Sequence, residues 1–338
     1  MFGADLKHSC VYDCTPLLHQ PTLKWQKGLD SYLERPPVVC GDRVICCTTA
    51  GSLYVLDGAT GAVEWQVRVK GQFATAPAVA TEAGILVAGS TAGLVYAYDC
   101  KSGEMAWLER FGTMTSSPAV SEGILYLGTQ EGYVVAADVE TGDGKWTTPI
   151  GGVVDGAIAI DVDTETLYAS AGGTLYALDT ESGGVKWSKR LGKMCGCCPV
   201  LNGGLVYIAN EQNELCALQG SDGSLVWKVK GVTGFATPAI AGGLLFWPTA
   251  AGLYSAIDLA SGKIRWSFKA NGLICREVAI AGNALYLLTQ KGMVYALNTD
   301  TGKELWHYAF KGSGQAGPTL SSSTLFFSDG KGTLYALY

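Results

Sequence analysis

The sequence is dominated by one pattern that recurs from end to end of the chain. In the copy from Leu53 to Trp65 (LYVLDGATGAVEW), a Gly follows the Asp by four residues and a Trp follows the Gly by four more. Both steps are the same in every copy, and Gln or Asn replaces the Asp twice. The copies are Asp57-Gly61-Trp65, Asp99-Gly103-Trp107, Asp138-Gly142-Trp146, Asp179-Gly183-Trp187, Gln219-Gly223-Trp227, Asp258-Gly262-Trp266 and Asn298-Gly302-Trp306.

This pattern predicts a β-hairpin. The apolar residues before the Asp (LYVL, VYAY, LYAL) are typical of a buried strand, and the residues after the Gly alternate like a second strand. The Asp carboxylate can accept backbone N–H groups in a turn, and Gly adopts positive φ without steric cost. We therefore expect a hairpin with a loop of about four residues. The Trp recurs at one geometric place, so we expect it to pack each repeat against the next.

The spacing of the Trp residues indicates the architecture. They lie 39 to 42 residues apart, at Trp25, Trp65, Trp107, Trp146, Trp187, Trp227, Trp266 and Trp306. Eight units of about 40 residues match the four-stranded blades of a β-propeller. Helical repeats of similar length do not fit, because these segments alternate and are interrupted by frequent Gly residues.

Two further strands precede the hairpin in each unit. The first carries a Pro in six units, at Pro37, Pro77, Pro118, Pro199, Pro238 and Pro318, and Ala157 and Val278 replace it in the other two. Since Pro belongs on an edge strand, we expect this strand to be innermost and to line the central axis.

The two ends of the chain predict how the ring closes. Leu334 to Tyr338 (LYALY) matches the third strand of a unit, and Thr22 to Trp25 (TLKW) matches the fourth. Pairing of an N-terminal strand at 22–26 with the C-terminal blade would remove the open edge of a linear array. We therefore predict an all-β, eight-bladed β-propeller of four-stranded antiparallel blades over residues 22–338, with residues 1–21 as an extension outside the repeats.

Composition excludes some functions. A net charge of −6 argues against a nucleic-acid partner, which requires a basic surface. No run approaches 18 apolar residues, so no transmembrane segment is expected. The 11 cysteines lie mostly in strand-like runs rather than in a disulfide framework, and no signal peptide is evident. These features predict a cytoplasmic location, or a periplasmic one if an export signal has been removed.

The repeated pattern, with its apolar-Tyr-Ala-Leu-Asp strand, Thr-Gly turn and Trp, resembles the tryptophan-docking repeat of pyrroloquinoline-quinone (PQQ)-type propellers over residues 22–338. That superfamily includes quinoprotein alcohol dehydrogenases. It also includes non-catalytic relatives, namely the outer-membrane assembly lipoprotein propeller of bacteria and propeller tails on kinases and amino-acid-activating enzymes. The resemblance implies the fold and leaves the function open.

The resemblance raises the alternative of a PQQ- and Ca²⁺-dependent alcohol or aldose dehydrogenase. Such enzymes commonly contain a vicinal disulfide, and the pairs Cys46-Cys47 and Cys197-Cys198 invite the comparison. A regular strand disfavours a disulfide between neighbours, so we expect buried free thiols at the first pair; Cys197 and Cys198 remain a candidate thiol pair. The constant spacing of the repeats leaves no room for the insertions that cover the quinone in those enzymes. We predict no catalytic residue, no metal and no cofactor.

Charged residues interrupt the otherwise small side chains of the innermost strands. They are Arg35, Asp155, Arg276 and Glu277. Buried charge is costly unless it is paired or hydrated. One interpretation is a hydrated channel with internal ion pairs, and the other is a ligand or partner site at the mouth of the ring.

The N-terminal extension carries His8, Cys10, Cys14 and His19, which are ligand types for zinc. Their spacing matches no standard finger, so a tail or a fragment of a preceding domain is the alternative. Taken together, the sequence predicts a non-catalytic scaffold that binds a protein partner or a small ligand at a ring face or the axial mouth. It would act as a monomeric ring or as a module of a larger chain, and a periplasmic outer-membrane-assembly propeller is a further alternative.

Overall fold

The computed structural model contains eight four-stranded antiparallel sheets, which confirms the predicted eight-bladed β-propeller. In each sheet the strands follow one another in chain order, except that the first strand of the chain joins the last sheet. The structure describes residues 5–114, 116–154, 156–192, 198–210, 212, 214–230, 238–249 and 252–338.

The two inner columns of strands surround the axis. The innermost strands are β2 (Val38–Cys40), β6 (Ala78–Ala80), β10 (Ala119–Ser121), β14 (Ala159–Asp161), β18 (Val200–Asn202), β22 (Ala239–Ala241), β26 (Ile274–Ala281) and β30 (Gly314–Ser321). The second strands are β3 (Arg43–Cys47), β7 (Ile85–Gly89), β11 (Ile124–Gly128), β15 (Thr166–Ala171), β19 (Leu205–Ala209), β23 (Leu244–Thr249), β27 (Ala284–Thr289) and β31 (Thr324–Asp329). A 3₁₀ turn, Val162–Thr164, joins β14 to β15.

The two outer columns contain the repeated hairpins. The third strands are β4 (Ser52–Asp57), β8 (Leu94–Asp99), β12 (Tyr133–Asp138), β16 (Thr174–Asp179), β20 (Glu214–Gln219), β24 (Leu253–Asp258), β28 (Met293–Asn298) and β32 (Thr333–Leu337). The outer strands are β5 (Val63–Arg68), β9 (Met105–Arg110), β13 (Gly144–Pro149), β17 (Val185–Arg190), β21 (Leu225–Lys230), β25 (Ile264–Lys269), β29 (Glu304–Ala309) and β1 (Leu23–Gly28). Blades 1 to 8 begin at β2, β6, β10, β14, β18, β22, β26 and β30, and β1 completes blade 8.

The core lies between neighbouring sheets. The third strand of blade 1 is buried along nearly its whole length, whereas its outer strand alternates between half-buried and exposed residues. The inner strands of each sheet are covered on both faces by the adjacent blades, so their sequences are continuous apolar runs. The outer strand contacts a neighbour on one face only, and it therefore keeps the alternation seen in the sequence.

The recurring Asp caps the hairpin turn, as the sequence predicts. The Asp57 Oδ1 atom accepts the N–H groups of Ala59 and Thr60 at 3.1 and 2.7 Å. Hydrogen bonds from Thr60 are the main cause that lowers the pKa of this carboxyl. The alternation in the sequence did not predict the β-bulge that precedes each Trp. In blade 1, Trp65 pairs with Val55 and Val63 pairs with Leu56, so two residue steps on the outer strand lie opposite one step on the third strand. The same shift occurs in every blade.

Each Trp binds the next blade through its indole N–H. The Trp107 Nε1 atom donates to the carbonyl of Val139, which directly follows the capping Asp138 of the next blade, at 2.9 Å. The Trp residues of blades 1, 3, 4, 5, 6 and 8 make the equivalent bond to the residue that follows the capping position of the next blade. The Gly of the next hairpin lies against the same ring, and a Cβ atom added to Gly142 would approach Trp107 to 2.9 Å. The repeated Gly is therefore needed for space as well as for its positive φ.

The two ends of the chain close the ring, as predicted. Strand β1 pairs with β32, and Thr22 and Tyr338 exchange backbone hydrogen bonds of 3.0 and 3.1 Å. At the junction between blades 7 and 8 the Trp306 indole finds a different acceptor. It donates to the carbonyl of Leu17 at 2.7 Å, and the Leu17 N–H donates to the Tyr286 hydroxyl at the same distance. Residues before the first strand thus complete the last docking contact.

The packing of Gly against Trp can be tested with two matched substitutions. Gly183 has a φ of +70°, and an added Cβ atom would lie 2.5 Å from Trp146. Gly84 has a φ of +68°, and an added Cβ atom would meet nothing within 4 Å. In urea unfolding, Gly84→Ala should cost about 1–2 kcal/mol for backbone strain alone. Gly183→Ala should cost about 1–3 kcal/mol more because of overpacking. Equal losses would contradict the packing role.

Candidate docking site at the axial channel

The innermost strands are joined around the axis by hydrogen bonds between neighbouring blades. The Ala76 N–H donates to the Ser117 hydroxyl at 3.0 Å, which joins blade 2 to blade 3. The Thr319 hydroxyl donates to the carbonyl of Pro37 at 2.8 Å, which joins blade 8 to blade 1. Small polar residues therefore fit here because there is little space and because a hydroxyl can satisfy the backbone of the adjacent strand.

One end of the channel, where the innermost strands begin, holds a buried ion pair. The Arg35 Nη1 atom of blade 1 lies 3.3 Å from the Glu277 Oε1 atom of blade 7, and the two side chains are 11% and 7% exposed. Two of the four predicted axial residues are thus brought together. Asp155 lies outside the described residues, and Arg276 is described only as part of the β26 backbone. The desolvation of this pair requires that both charges stay partnered.

Of the two residues of the predicted thiol pair, the structure describes one, Cys198. Cys198 is buried, and its sulfur accepts the Ala157 N–H at 3.1 Å. Cys197 lies outside the described residues. Cys46 and Cys47 are buried free thiols, and burial raises the pKa of both. The described thiols are therefore packed as apolar side chains.

The N-terminal segment, defined here as residues 5–17, runs along the wall of the channel. It satisfies the axis-facing N–H group at the same position of four consecutive innermost strands, in blades 4 to 7. These bonds are Ile160 to the Leu6 carbonyl (2.8 Å), Leu201 to Lys7 (2.9 Å), Ile240 to Ser9 (3.0 Å) and Ile280 to Cys10 (2.9 Å). The Ile280 carbonyl also accepts the Tyr12 N–H at 2.8 Å. Half of the ring is thus covered on its inner edge by the chain itself.

Two of the four candidate zinc ligands of the N-terminal extension, His8 and Cys10, are used in packing. His8 is buried, and its Nδ1 atom donates to the carbonyl of Pro199 at 3.1 Å. Burial lowers the pKa of His8 and raises that of Cys10. In the described part of the chain, no three His, Cys, Asp or Glu side chains are grouped so that they could hold a metal ion. The residues present there do not fit the Ca²⁺ of a quinone site, which needs several converging oxygen ligands.

A cavity of about 630 Å³ opens at the other end of the channel, where the turns follow the innermost strands. We call it the mouth cavity. It is lined by Tyr12 to Thr15 of the N-terminal segment, by Val39 and Gly41 of blade 1 and by Thr319 to Ser323 of blade 8. The cavity lies where the segment leaves the channel wall, beyond its last bond to blade 7.

A second cavity of about 340 Å³ continues outward along the junction of blades 8 and 1. It shares Val39, Gly41 and two serines with the mouth cavity. Its lining residues include Asp42 and Asp57 together with one lysine, Lys24. With Asp13 in the mouth cavity, the combined groove is acidic. Sequence reasoning missed this groove, because no pattern in residues 1–21 shows which blades they cover.

The matched family model is described as "Outer membrane protein assembly factor BamB", and it matches residues 19–153, 153–269 and 271–338. Among curated relatives, the outer membrane protein assembly factor BamB of Yersinia pestis is 25% identical over 211 residues. That alignment covers 60% of this chain and 44% of the relative, so the chain matches less than half of the relative's length.

Solved structures share the fold. BamB from Moraxella catarrhalis superposes with a TM-score of 0.81 at 16% identity, over 94% of this chain and 99% of the other. The quinohemoprotein alcohol dehydrogenase of Comamonas testosteroni superposes with a TM-score of 0.87 at 15% identity, over 99% of this chain and 79% of the other. Identities this low establish the architecture alone. The family model, which matches nearly the whole ring, confirms the predicted PQQ-type propeller.

The prediction of a cytoplasmic location is wrong. The matched family and the curated relatives are outer membrane protein assembly factors, which points to the cell envelope. The cysteine argument failed for a physical reason. Most described cysteines are buried free thiols that fill strands, so their number reports packing and not the redox state of a compartment. In the described residues no helix is long and apolar enough to cross a membrane.

The buried ion pair can be tested with a double-mutant cycle. Removing one partner leaves the other charge buried without its ion pair. Arg35→Gln and Glu277→Gln should therefore each lower the free energy of unfolding in urea by about 3 kcal/mol. The double variant should lose at least about 1 kcal/mol less than the sum of the two single losses, because it leaves no unpaired buried charge. The exposed pair of Lys7 and Asp163 is the control, with an expected coupling below about 0.5 kcal/mol. Additive losses at Arg35 and Glu277 would show that the two charges do not interact.

Proposed function

We propose, because this chain belongs to the outer membrane protein assembly factor BamB family, that it is a non-catalytic scaffold that binds a protein partner during outer membrane protein assembly, on the periplasmic side of the envelope. The observation that carries the proposal is the match of the family model along nearly the whole ring. The docking site we assign to this partner is the mouth cavity and its extension between blades 8 and 1.

The architecture supports a rigid docking platform. A Trp bond and apolar packing fix neighbouring blades to each other, through the N-terminal segment at the junction of blades 7 and 8, so the turns at the ring faces are held in place. Loops positioned by such a scaffold commonly carry binding sites. The mouth cavity is concave, lies between the N-terminal segment and blades 8 and 1, and combines apolar with polar lining groups, as binding sites do in general.

The alternative of a PQQ- and Ca²⁺-dependent dehydrogenase is favoured only by likeness of fold. A fold does not specify a reaction. The described residues offer no cluster of oxygen ligands for Ca²⁺. That the chain binds no cofactor remains a prediction, and addition of PQQ with Ca²⁺ tests it. Appearance of a bound quinone spectrum together with dye-linked alcohol oxidation would replace the scaffold proposal.

Site-specific photocrosslinking tests the docking role. p-Benzoylphenylalanine is placed at Ser323, an exposed residue of the mouth cavity, and for comparison at Val185, which is 48% exposed on the outer strand of blade 4. The labelled ring is irradiated in a Gram-negative envelope fraction, and adducts are identified by mass spectrometry. We expect Ser323 to give an adduct with an outer-membrane β-barrel protein or with a component of its assembly machinery.

The two label positions make the result specific. Both side chains are exposed, so a difference between them reports the mouth cavity rather than label reactivity. We expect Val185 to give no such adduct. Absence of the adduct at Ser323, or equal labelling from both positions, would contradict a docking site at this mouth.

A further inference from the structure

Among the described residues, the N-terminal segment covers the inner edge of the ring in blades 4 to 7 and does not bond to it in blades 8 and 1. In blades 4 to 7 the axis-facing N–H group of each innermost strand donates to the N-terminal segment. The same strand position is held by Leu320 in blade 8 and Val39 in blade 1, as the pairing registers show. Among the residues that the structure describes, none accepts the axis-facing backbone N–H of Leu320 or Val39.

The mouth cavity lies directly against these two open edges. The N-terminal segment forms its last inner-edge bonds at Ile280 of blade 7 and leaves the wall after Tyr12. Leu320 and Val39 belong to the next two blades around the ring, and both line the cavity. The cavity therefore occupies the place where an extended chain would continue along the wall.

The covered half shows what kind of chain fits the open half. Residues Leu6 to Tyr12 bind the wall with backbone groups, and one carbonyl serves each blade at intervals of one or two residues. The His8 side chain adds a bond to the Pro199 carbonyl, but all four inner-edge bonds use backbone carbonyls of the segment. The backbone of a second segment can therefore use the equivalent groups of Leu320 and Val39. Buried backbone donors strongly favour such partners over none.

The acidic lining of the groove favours peptide segments that carry positive charge. Asp13 lines the mouth cavity, Asp42 and Asp57 line its extension, and Lys24 is the one lysine among the lining residues. The chain carries a net charge of −6. Complementary charge increases the association rate and the selectivity for a partner.

We infer that the mouth cavity binds an extended, lysine- or arginine-bearing peptide segment of a partner protein, whose backbone pairs with Leu320 and Val39. Main-chain pairing at an open strand edge is an established mode of peptide recognition, with side chains adding selectivity. The inference rests on the proposed scaffold function and specifies the chemistry of the partner at the same site.

The probe is a fluorescein-labelled peptide amide of sequence Lys-Val-Ser-Val-Lys, titrated by anisotropy with the full chain. Two control peptides separate the contributions: one is N-methylated at both Val residues, and the other has Glu in place of both Lys. We expect saturable binding below about 1 mM, and a Kd at least about tenfold weaker for each control peptide.

A pair of proline variants locates the site. Val39→Pro removes the axis-facing donor of blade 1 on an edge strand, where Pro is tolerated. Val79→Pro makes the same change at the equivalent position of blade 2, which does not line the cavity. We expect Val39→Pro to weaken binding at least about tenfold and Val79→Pro to leave Kd within about twofold. Urea unfolding of both variants verifies that they are folded.

The outcomes separate this inference from the proposed function. Absence of peptide binding up to about 1 mM, equal effects of the two proline variants, or full binding by the N-methylated peptide would each overturn the inference. If Ser323 still crosslinks to an assembly component in that case, the scaffold function stands and the partner docks by other contacts. Peptide binding without any crosslink would support the pairing mode and contradict the scaffold function.

Discussion

The hydrogen bond from the Trp indole to a backbone carbonyl across each blade junction is the interaction on which the ring depends. It joins sheets that share no strand, and it places a large aromatic ring against the Gly of the neighbouring hairpin. Each bond contributes only about 1 kcal/mol, but it recurs at every junction and fixes the angle at which blades meet. The bulge before the Trp contributes to this contact, because a bulge changes the direction of the side chain that follows it.

The arrangement at the axis follows from this geometry. Eight innermost strands converge, each with one edge facing the axis and not paired with another strand of its own sheet, and such an edge must be protected or covered. This protein covers the edges of blades 4 to 7 with residues before its first strand, and the same residues supply the acceptor for Trp306. One short segment therefore both fills half of the channel and completes the ring. The other half keeps the concave, acidic groove to which we assign partner binding.

The fold could be predicted from the sequence because its determinants repeat. The Asp, Gly and Trp steps mark every hairpin, the Pro marks the inner edge, and the matching ends of the chain mark the closure. The candidate site could not be predicted in the same way. The channel is built from residues that depart from the repeat, such as Arg35 and Glu277, and their pairing across blade 8 depends on three-dimensional proximity. The course of residues 5–17 carries no periodic signal, so neither the covered edges nor the mouth cavity was visible in the sequence.

The docking of Trp306 onto Leu17 can be measured most directly by indole hydrogen exchange. The chain is labelled with ¹⁵N-tryptophan, and exchange of each indole N–H is followed by NMR in the full chain and in a chain that lacks residues 1–17. The account predicts that the deletion speeds exchange at Trp306 by at least about tenfold relative to Trp146, which lies at the opposite junction of the ring. Equal protection of Trp306 and Trp146 in the shortened chain would show that the N-terminal segment does not complete the ring.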